Sequence, residues 1–288
     1  MSISRAPAGI VRPARRPAGW KPVGPQPPAH VAPELGPREG EDLCYLTGDF
    51  RILQRLGGHR WSLDDLLTAH FAASFHTENA PTQFVDLGCG IGSVLMMLAW
   101  RFPEGRGVGL EAQTGSVDLA RRSLRFNGLE DRCLVHHGDL RESPHAGGTF
   151  DLVTGTPPYF PMDAASGSDD GQRLACRLET RGGVEDYCQA AAPRLAPGAR
   201  FVLCMPGGPD GRVGQGARDA GLAIECHRDV VPRAGKAPLF GLWSLRRSDE
   251  VQGTDVLSPL VVRDERSVWT QELLDVRRDM GMPSAHDP

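Results

Sequence analysis

The sequence predicts an α/β fold: a mostly parallel, seven-stranded sheet with helices on both faces and an antiparallel hairpin at one edge. Three observations predict it. From residue 83 onward, short apolar strands alternate with amphipathic helical segments. The strand runs are continuously apolar instead of alternating, the pattern of strands covered on both faces. The chain, 288 residues with 40% hydrophobic content, can bury one substantial core, and after discounting its unusual ends it fits a single domain.

The elements follow in order. Residues 1–33 hold eight prolines, five basic side chains (Arg5, Arg12, Arg15, Arg16, Lys21) and no acid. Such a segment can neither bury a core nor pair its charges, so residues 1–41 are expected to form a disordered tail. A basic arm gripping nucleic-acid backbone and an organelle transit peptide are the competing readings. From Asp42 the composition becomes globular, and "CYLTGDFRILQRLGGHRWS" (44–62) suggests an extended pair. A helix opens at Ser62, whose hydroxyl can cap it while Asp64 and Asp65 favour the positive helix end; Leu66, Leu67, His70 and Phe71 line one face. Strands are then expected at 83–88, 107–112, 132–139, 150–155, 199–206, 223–231 and 239–247, with helices near 92–101, 114–126, 183–195 and 211–220. The last two strands have no helix between them, which makes the edge hairpin. The expected domain spans 42–250, and 251–288 reads as a C-terminal extension with a short helix around Trp269 to Arg278.

A net charge of −4 gives no global basic field, so nucleic-acid binding would rest on local patches. The seven cysteines are odd in number, scattered and without a C-x-x-C pair, which fits a reducing compartment and argues against a disulfide framework or structural zinc. No apolar run approaches the roughly 18 to 20 residues of a membrane span, and no signal-peptide apolar region follows Met1. The expectation is a cytoplasmic protein with no membrane or metal partner.

"VDLGCGIGSVLMMLA" (85–99) is a strand ending in an acid, a turn built on Gly88, Gly90 and Gly92, and an apolar helix, so backbone can approach a ligand where side chains would collide. The dinucleotide fingerprint would put its third glycine where Ser93 stands. The G-x-G-x-G spacing after Asp86 resembles motif I of the class I S-adenosylmethionine methyltransferases, with Glu111, Asp139 and a proline motif ending the next three strands in order. The resemblance implies a Rossmann-like fold and S-adenosylmethionine as cofactor. Its ribose diol and adenine amine want acceptors, which suits Glu111 to the ribose and Asp139 to the adenine. Asp86 would act through the methionine end of the ligand or by holding the loop. The plain alternative is a glycine turn serving only tight strand-to-helix packing.

"TGTPPYF" (154–160) fixes two prolines and an aromatic ring at a strand tip. A carbonyl beside a rigid proline is a well-placed acceptor for the N–H groups of an exocyclic amine, because Pro158 restricts Pro157 to extended conformations. Tyr159 or Phe160 can stack on a base. A proline pair that merely stops a strand is the bland alternative. "TPPYF" resembles the "NPPY" motif of methyltransferases acting on planar amides and amines, with Thr156 in place of Asn or Asp. Its hydroxyl keeps acceptor lone pairs but is shorter than an amide.

Residues 48–275 further resemble the bacterial tRNA adenine-N6 methyltransferases that modify valine tRNA. "GGHRWSLDDLLTAHFA" (57–72) is similar to a helix that closes over the cofactor in that family, making Arg60, Trp61, Ser62 and Asp64 candidate pocket residues. "CRLETRGGVEDYCQAAAPRLAPGARF" (176–201) resembles an Arg and Glu segment, with Leu178 where a His is common; Arg177 and Glu179 could order the loop after the proline turn. "VVPRAGKAPLFGLWSLRR" (230–247) makes Arg233 and Lys236 candidate phosphate contacts, against a reading as solvated loop charge. With Arg246, Arg247 and the basic tail, these would give tRNA an electrostatic footprint. The expected activity is N6-methylation of adenine in tRNA or other structured RNA, with Thr156, Pro157, Pro158 and Tyr159 holding the target. A glutamine amide or small metabolite as acceptor, a cofactor-binding protein without catalysis, and a nicotinamide oxidoreductase are the alternatives.

Overall fold

A computed structural model describes residues 9–13, 16–17, 19–142, 148–159 and 182–283. The N-terminal elements are β1 (Ile10–Val11), β2 (Glu41–Tyr45), β3 (Arg51–Arg55) and helix α1 (Leu63–Ser74). The alternating part runs β4 (Gln83–Leu87), α2 (Ser93–Arg101), β5 (Arg106–Glu111), α3 (Thr114–Phe126), β6 (Cys133–His137) and β7 (Phe150–Gly155). It continues with α4 (Val184–Ala191), β8 (Leu195–Met205), α5 (Arg212–Asp219), β9 (Leu222–Val231), β10 (Phe240–Arg247), β11 (Asp255–Val261) and α6 (Gln271–Asp279).

The main sheet has eight strands in the order β11-β9-β10-β8-β7-β4-β5-β6. The β8-β7-β4-β5-β6 part is parallel, and β10 runs antiparallel to both β8 and β9. The α/β class and the antiparallel pair therefore stand as expected, but seven strands was one short. The eighth, β11, lies beyond residue 250 and pairs parallel with β9, so the hairpin is not the sheet edge. Its solvent-facing residues leave β11 mostly exposed, with Val256 and Leu257 on the surface. Such a run carries no burial pattern to betray a strand.

Helix α2 is apolar all round and buried from Ser93 to Trp100, as a helix enclosed by other elements must be. It packs against α1, and the core on that side includes Leu66, Leu67, Phe71, Leu95 and Met96. Residues Leu273, Val276 and Met280, from α6 and its C-cap, join the same core, so the C-terminal region is tied into the domain.

The described residues of the N-terminal segment, expected to be a disordered tail with unpaired charges, make specific contacts. β1 pairs parallel with β2, Arg12 reaches Asp42 at 2.8 Å, and Arg16 binds Asp49 at 2.5 Å and the Gly48 carbonyl at 2.8 Å. The acids that pair these arginines lie outside residues 1–33, which is why the local composition looked unpaired. Trp100 anchors the arrangement. A Cβ on Gly24, Gly48 or Gly281 would stand 2.4–2.6 Å from its ring, so the tail, the β2-β3 turn and the C-terminal segment each meet the indole through a glycine.

Candidate active site

The C-terminal ends of β4 to β7 meet at one end of the sheet. Strand β4 sits where the order reverses, with β5 and β6 on one side and β7 and β8 on the other. The crevice at such a reversal is where open α/β sheets bind ligands.

The glycine loop fills this crevice. Gly88, Gly90 and Gly92 all have positive φ, at 61°, 54° and 85°. A Cβ on Gly88 would stand 2.0 Å from the Tyr187 hydroxyl oxygen of α4, whereas one on Gly90 would meet nothing within 4 Å. The first is needed for packing beneath the loop, and the second leaves backbone open to a ligand. Gly92 is the N-cap of α2.

Glu111, at the tip of β5, accepts from the Gly90 amide at 2.9 Å and the Gln113 amide at 2.6 Å. Asp139, just past β6, is held by Arg141 through contacts of 2.9 and 2.6 Å. Both carboxylates line one pocket with Gly88, Gly90, Ser93 and Tyr187. Asp86 does not line it. It is buried beneath the loop, where it accepts from Thr154 Oγ1 at 2.8 Å and ties β4 to β7. Of its two suggested roles, the placement matches holding the loop. Burial pushes its carboxyl up to about 7, against the lowering effect of the Thr154 hydrogen bond.

Asp65 is the acid that the sequence undervalued. It accepts from the Ser62 amide at 2.8 Å, which sets the first turn of α1, and from Ser93 Oγ at 2.9 Å, which ties α1 to α2. Burial, reinforced by the neighbouring Asp64 charge, raises its carboxyl to about 8. Asp64 itself accepts from the Tyr159 hydroxyl at 3.2 Å.

A second pocket opens on the other side of the β7 tip, lined by Asp64, Thr156, Pro157, Tyr159, Leu239 and Phe240 among others. Tyr159 lies tilted against Phe240 with centroids 6.3 Å apart, and its hydroxyl also meets Cys204 Sγ at 3.1 Å. Burial raises the phenol far above its ordinary range and keeps it neutral. Thr156, His59 and Asp65 belong to the walls of both pockets, and Pro158 faces the first. Thr156 makes no side-chain hydrogen bond to a described residue, so its hydroxyl is available at the junction.

The structure does not bring all the expected residues together. Phe160, Arg177, Leu178 and Glu179 lie outside the described residues. Arg233 reaches Ser267 Oγ at 3.3 Å in the turn after β9, and neither it nor Lys236 lines either pocket. Arg246 is committed to Glu225 and Glu250 and Arg247 to the Leu195 carbonyl. They end β10 about 20 Å from Phe240, which begins it at the pocket, taking roughly 3.3 Å per residue. Arg246 and Arg247 thus stand away from both pockets. Tyr187, His59, Ser93 and Phe240 went unforeseen, because nothing in their local sequence tells which strand tip they will face.

Residues 84–165 match the family described as a methyltransferase domain. A tRNA1(Val) (adenine(37)-N6)-methyltransferase of Porphyromonas gingivalis is 29% identical over 151 residues, covering 51% of this chain and 58% of that protein. The chain thus spans little more than half the length of that curated relative. A release factor glutamine methyltransferase of Bradyrhizobium diazoefficiens is 28% identical over 227 residues, covering 74% of this chain and 69% of that one. Among solved structures, a predicted O-methyltransferase from Agrobacterium tumefaciens superposes with a TM-score of 0.57 at 19% identity, covering 78% of this chain and all of that one. That likeness concerns the fold alone, a Rossmann-like α/β sheet.

Proposed function

We propose that this chain, a class I methyltransferase domain whose cofactor is S-adenosylmethionine, methylates the exocyclic N6 amine of an adenine in tRNA or other structured RNA. The observation that carries this reading is the position of Thr156 on the wall shared by the two pockets, with Pro157 and Tyr159 on the acceptor side. The first pocket suits the cofactor. Glu111 is oriented by two backbone amides toward a ribose diol, Asp139 stands ready for an amine, and the acid of Asp65 faces the end where positive charge would sit.

The cofactor supplies an electrophilic methyl group. The chain's part is to hold a weak nucleophile in line with it. The aromatic amine has its lone pair delocalised into the ring, and acceptors that take both N–H bonds fix its nitrogen in near-attack geometry. The backbone carbonyls beside Pro157 and Pro158 cannot rotate away, and the Thr156 hydroxyl offers lone pairs in place of an amide oxygen. Phe240 and Leu239 give the base an apolar wall. The amine nitrogen gains the methyl and releases one proton, for which Asp64 on the pocket wall is an acceptor.

A glutamine amide is the second reading, favoured by the longer alignment with the release factor glutamine methyltransferase. Both acceptors are planar N–H donors. Transfer of labelled methyl to total tRNA, followed by nucleoside analysis, separates them. Label in N6-methyladenosine supports the RNA reading. Label confined to protein, recovered as N5-methylglutamine, removes it.

A further inference from the structure

A third cavity, of about 710 Å³, lies between the N-terminal arm, the β2-β3 hairpin and the C-terminal segment. Four guanidinium groups line it, from Arg12, Arg16, Arg60 and Arg277, and no described acid does. Their counter-charges lie elsewhere: Asp42 is fully buried behind Arg12 and Arg60, and Asp49 pairs Arg16. Arg12 and Arg60 share the single carboxylate of Asp42, so these two guanidinium groups bring an excess of positive charge to the cavity wall. Its walls also carry Tyr45, with Arg16 stacked 4.2 Å above the ring and Arg51 at 3.8 Å.

Arg60 belongs to this cavity and to the acceptor pocket. The two spaces therefore adjoin, and they differ in charge. The acceptor pocket carries Asp64 and Asp65, suited to an amine donor, while the adjoining cavity carries the arginines. A side-chain amide of a protein substrate has no obligatory anion beside it, but a nucleotide has one on each side. Guanidinium groups are the usual partners of phosphate because their forked donors match its oxygens.

We propose that the arginine-lined cavity binds the RNA backbone phosphate next to the target adenosine, making the N-terminal arm part of the substrate site. This rests on the RNA reading above and deepens it. Arg12 and Arg60 are pre-oriented by the buried Asp42, which holds both side chains at the mouth without exposing a negative charge to the ligand. Arg16 is fixed between Trp20 and Tyr45, and Arg277 against Trp269, so the ordering of these long side chains is complete before RNA arrives.

The test uses the full chain with total tRNA. Wild type, Arg12→Gln/Arg277→Gln and Arg12→Lys/Arg277→Lys are compared for methyl transfer, for tRNA affinity against salt, and for S-adenosylmethionine affinity. Losing two phosphate contacts should lower the slope of log affinity against log salt by about 2 and raise KM for tRNA at least about tenfold. Cofactor affinity should stay within about twofold, and the lysine pair should recover most of the slope, since charge and not bidentate geometry sets it. If wild type methylates tRNA and the glutamine pair keeps its affinity and slope, the cavity does not take phosphate, and the RNA reading survives. If wild type leaves tRNA unlabelled and labels a protein glutamine instead, the RNA reading falls and takes this inference with it.

Discussion

The two halves of the candidate site are built from contacts of very different reach along the chain. On the cofactor side, Glu111 binds amides 2 and 21 residues away, and Asp139 is held by an arginine 2 residues on. On the acceptor side, Tyr159 depends on Asp64, 95 residues away, and on Cys204, 45 residues away. The difference teaches where variation is cheap. The cradle's glycines and strand-tip acids are written in short segments, with Tyr187 of α4 packed beneath Gly88 as their long-range support. An acceptor wall collected from α1, β7, β8 and β10 can be altered one element at a time.

The largest effect should come from Gly88. Alanine there would place a methyl 2.0 Å from the Tyr187 hydroxyl at a φ of 61°, adding a clash to left-handed strain. Gly88→Ala is expected to lose about 3 kcal/mol or more of stability, with cofactor affinity down by more than about 100-fold. Gly90→Ala, at φ 54° with open space around it, should cost stability only about 1–2 kcal/mol. Thermal unfolding and calorimetry of both variants check this. Equal losses would mean that the packing of Tyr187 beneath the loop does not fix the cofactor side.

A middle effect tests Asp65, the residue that joins the halves. Its carboxyl stands at about 8, so below that pH it is mostly protonated. A cation bound beside it favours the ionised form, so binding releases a proton and affinity rises with pH. The rise should approach tenfold per pH unit between about 6 and 8 and level off above. Asp86, raised to about 7, titrates in the same window but lies beneath the loop. Asp65→Asn should therefore flatten most of the profile, and S-adenosylhomocysteine, lacking the sulfonium charge, should show a shallower one. A profile in Asp65→Asn as steep as in wild type would assign the titration elsewhere.

The same contrast decides what the sequence could tell. The parallel strands, the glycine loop and the order Glu111, Asp139, Thr156 were legible because each is written in a few adjacent residues. Asp65 was read only as a favourable charge at a helix start, since its bond to Ser93 appears only when α1 crosses α2. Arg12 looked like part of a solvated tail because Asp42 lies 30 residues away, past eight prolines. Strand β11 was missed for another reason: an exposed edge strand has no apolar face to reveal its period. Arg246 and Arg247 stand at the end of β10 far from Phe240, paired with Glu225, Glu250 and the Leu195 carbonyl, and no local residue pattern announces those partners.

The smallest effect is the sharpest test of the comparison. Tyr159→Phe keeps the ring against Phe240 and removes only the hydroxyl that meets Asp64 and Cys204. The hydroxyl's present partners are protein groups, so its loss should cost about 1 kcal/mol, the net worth of one such hydrogen bond. That is a loss of stability; because the bond is the same in the ground and transition states, turnover should fall by no more than about fivefold, with cofactor affinity unchanged. Asp64, left without its partner but partly open to solvent, can rehydrate, which keeps the penalty small. A fall of more than about 100-fold in kcat, with cofactor binding intact, would instead put the hydroxyl in contact with the reacting amine. The acceptor half would then be as narrowly specified as the glycine loop, and the freedom to change substrate would have to lie farther out, at the arginine-lined cavity.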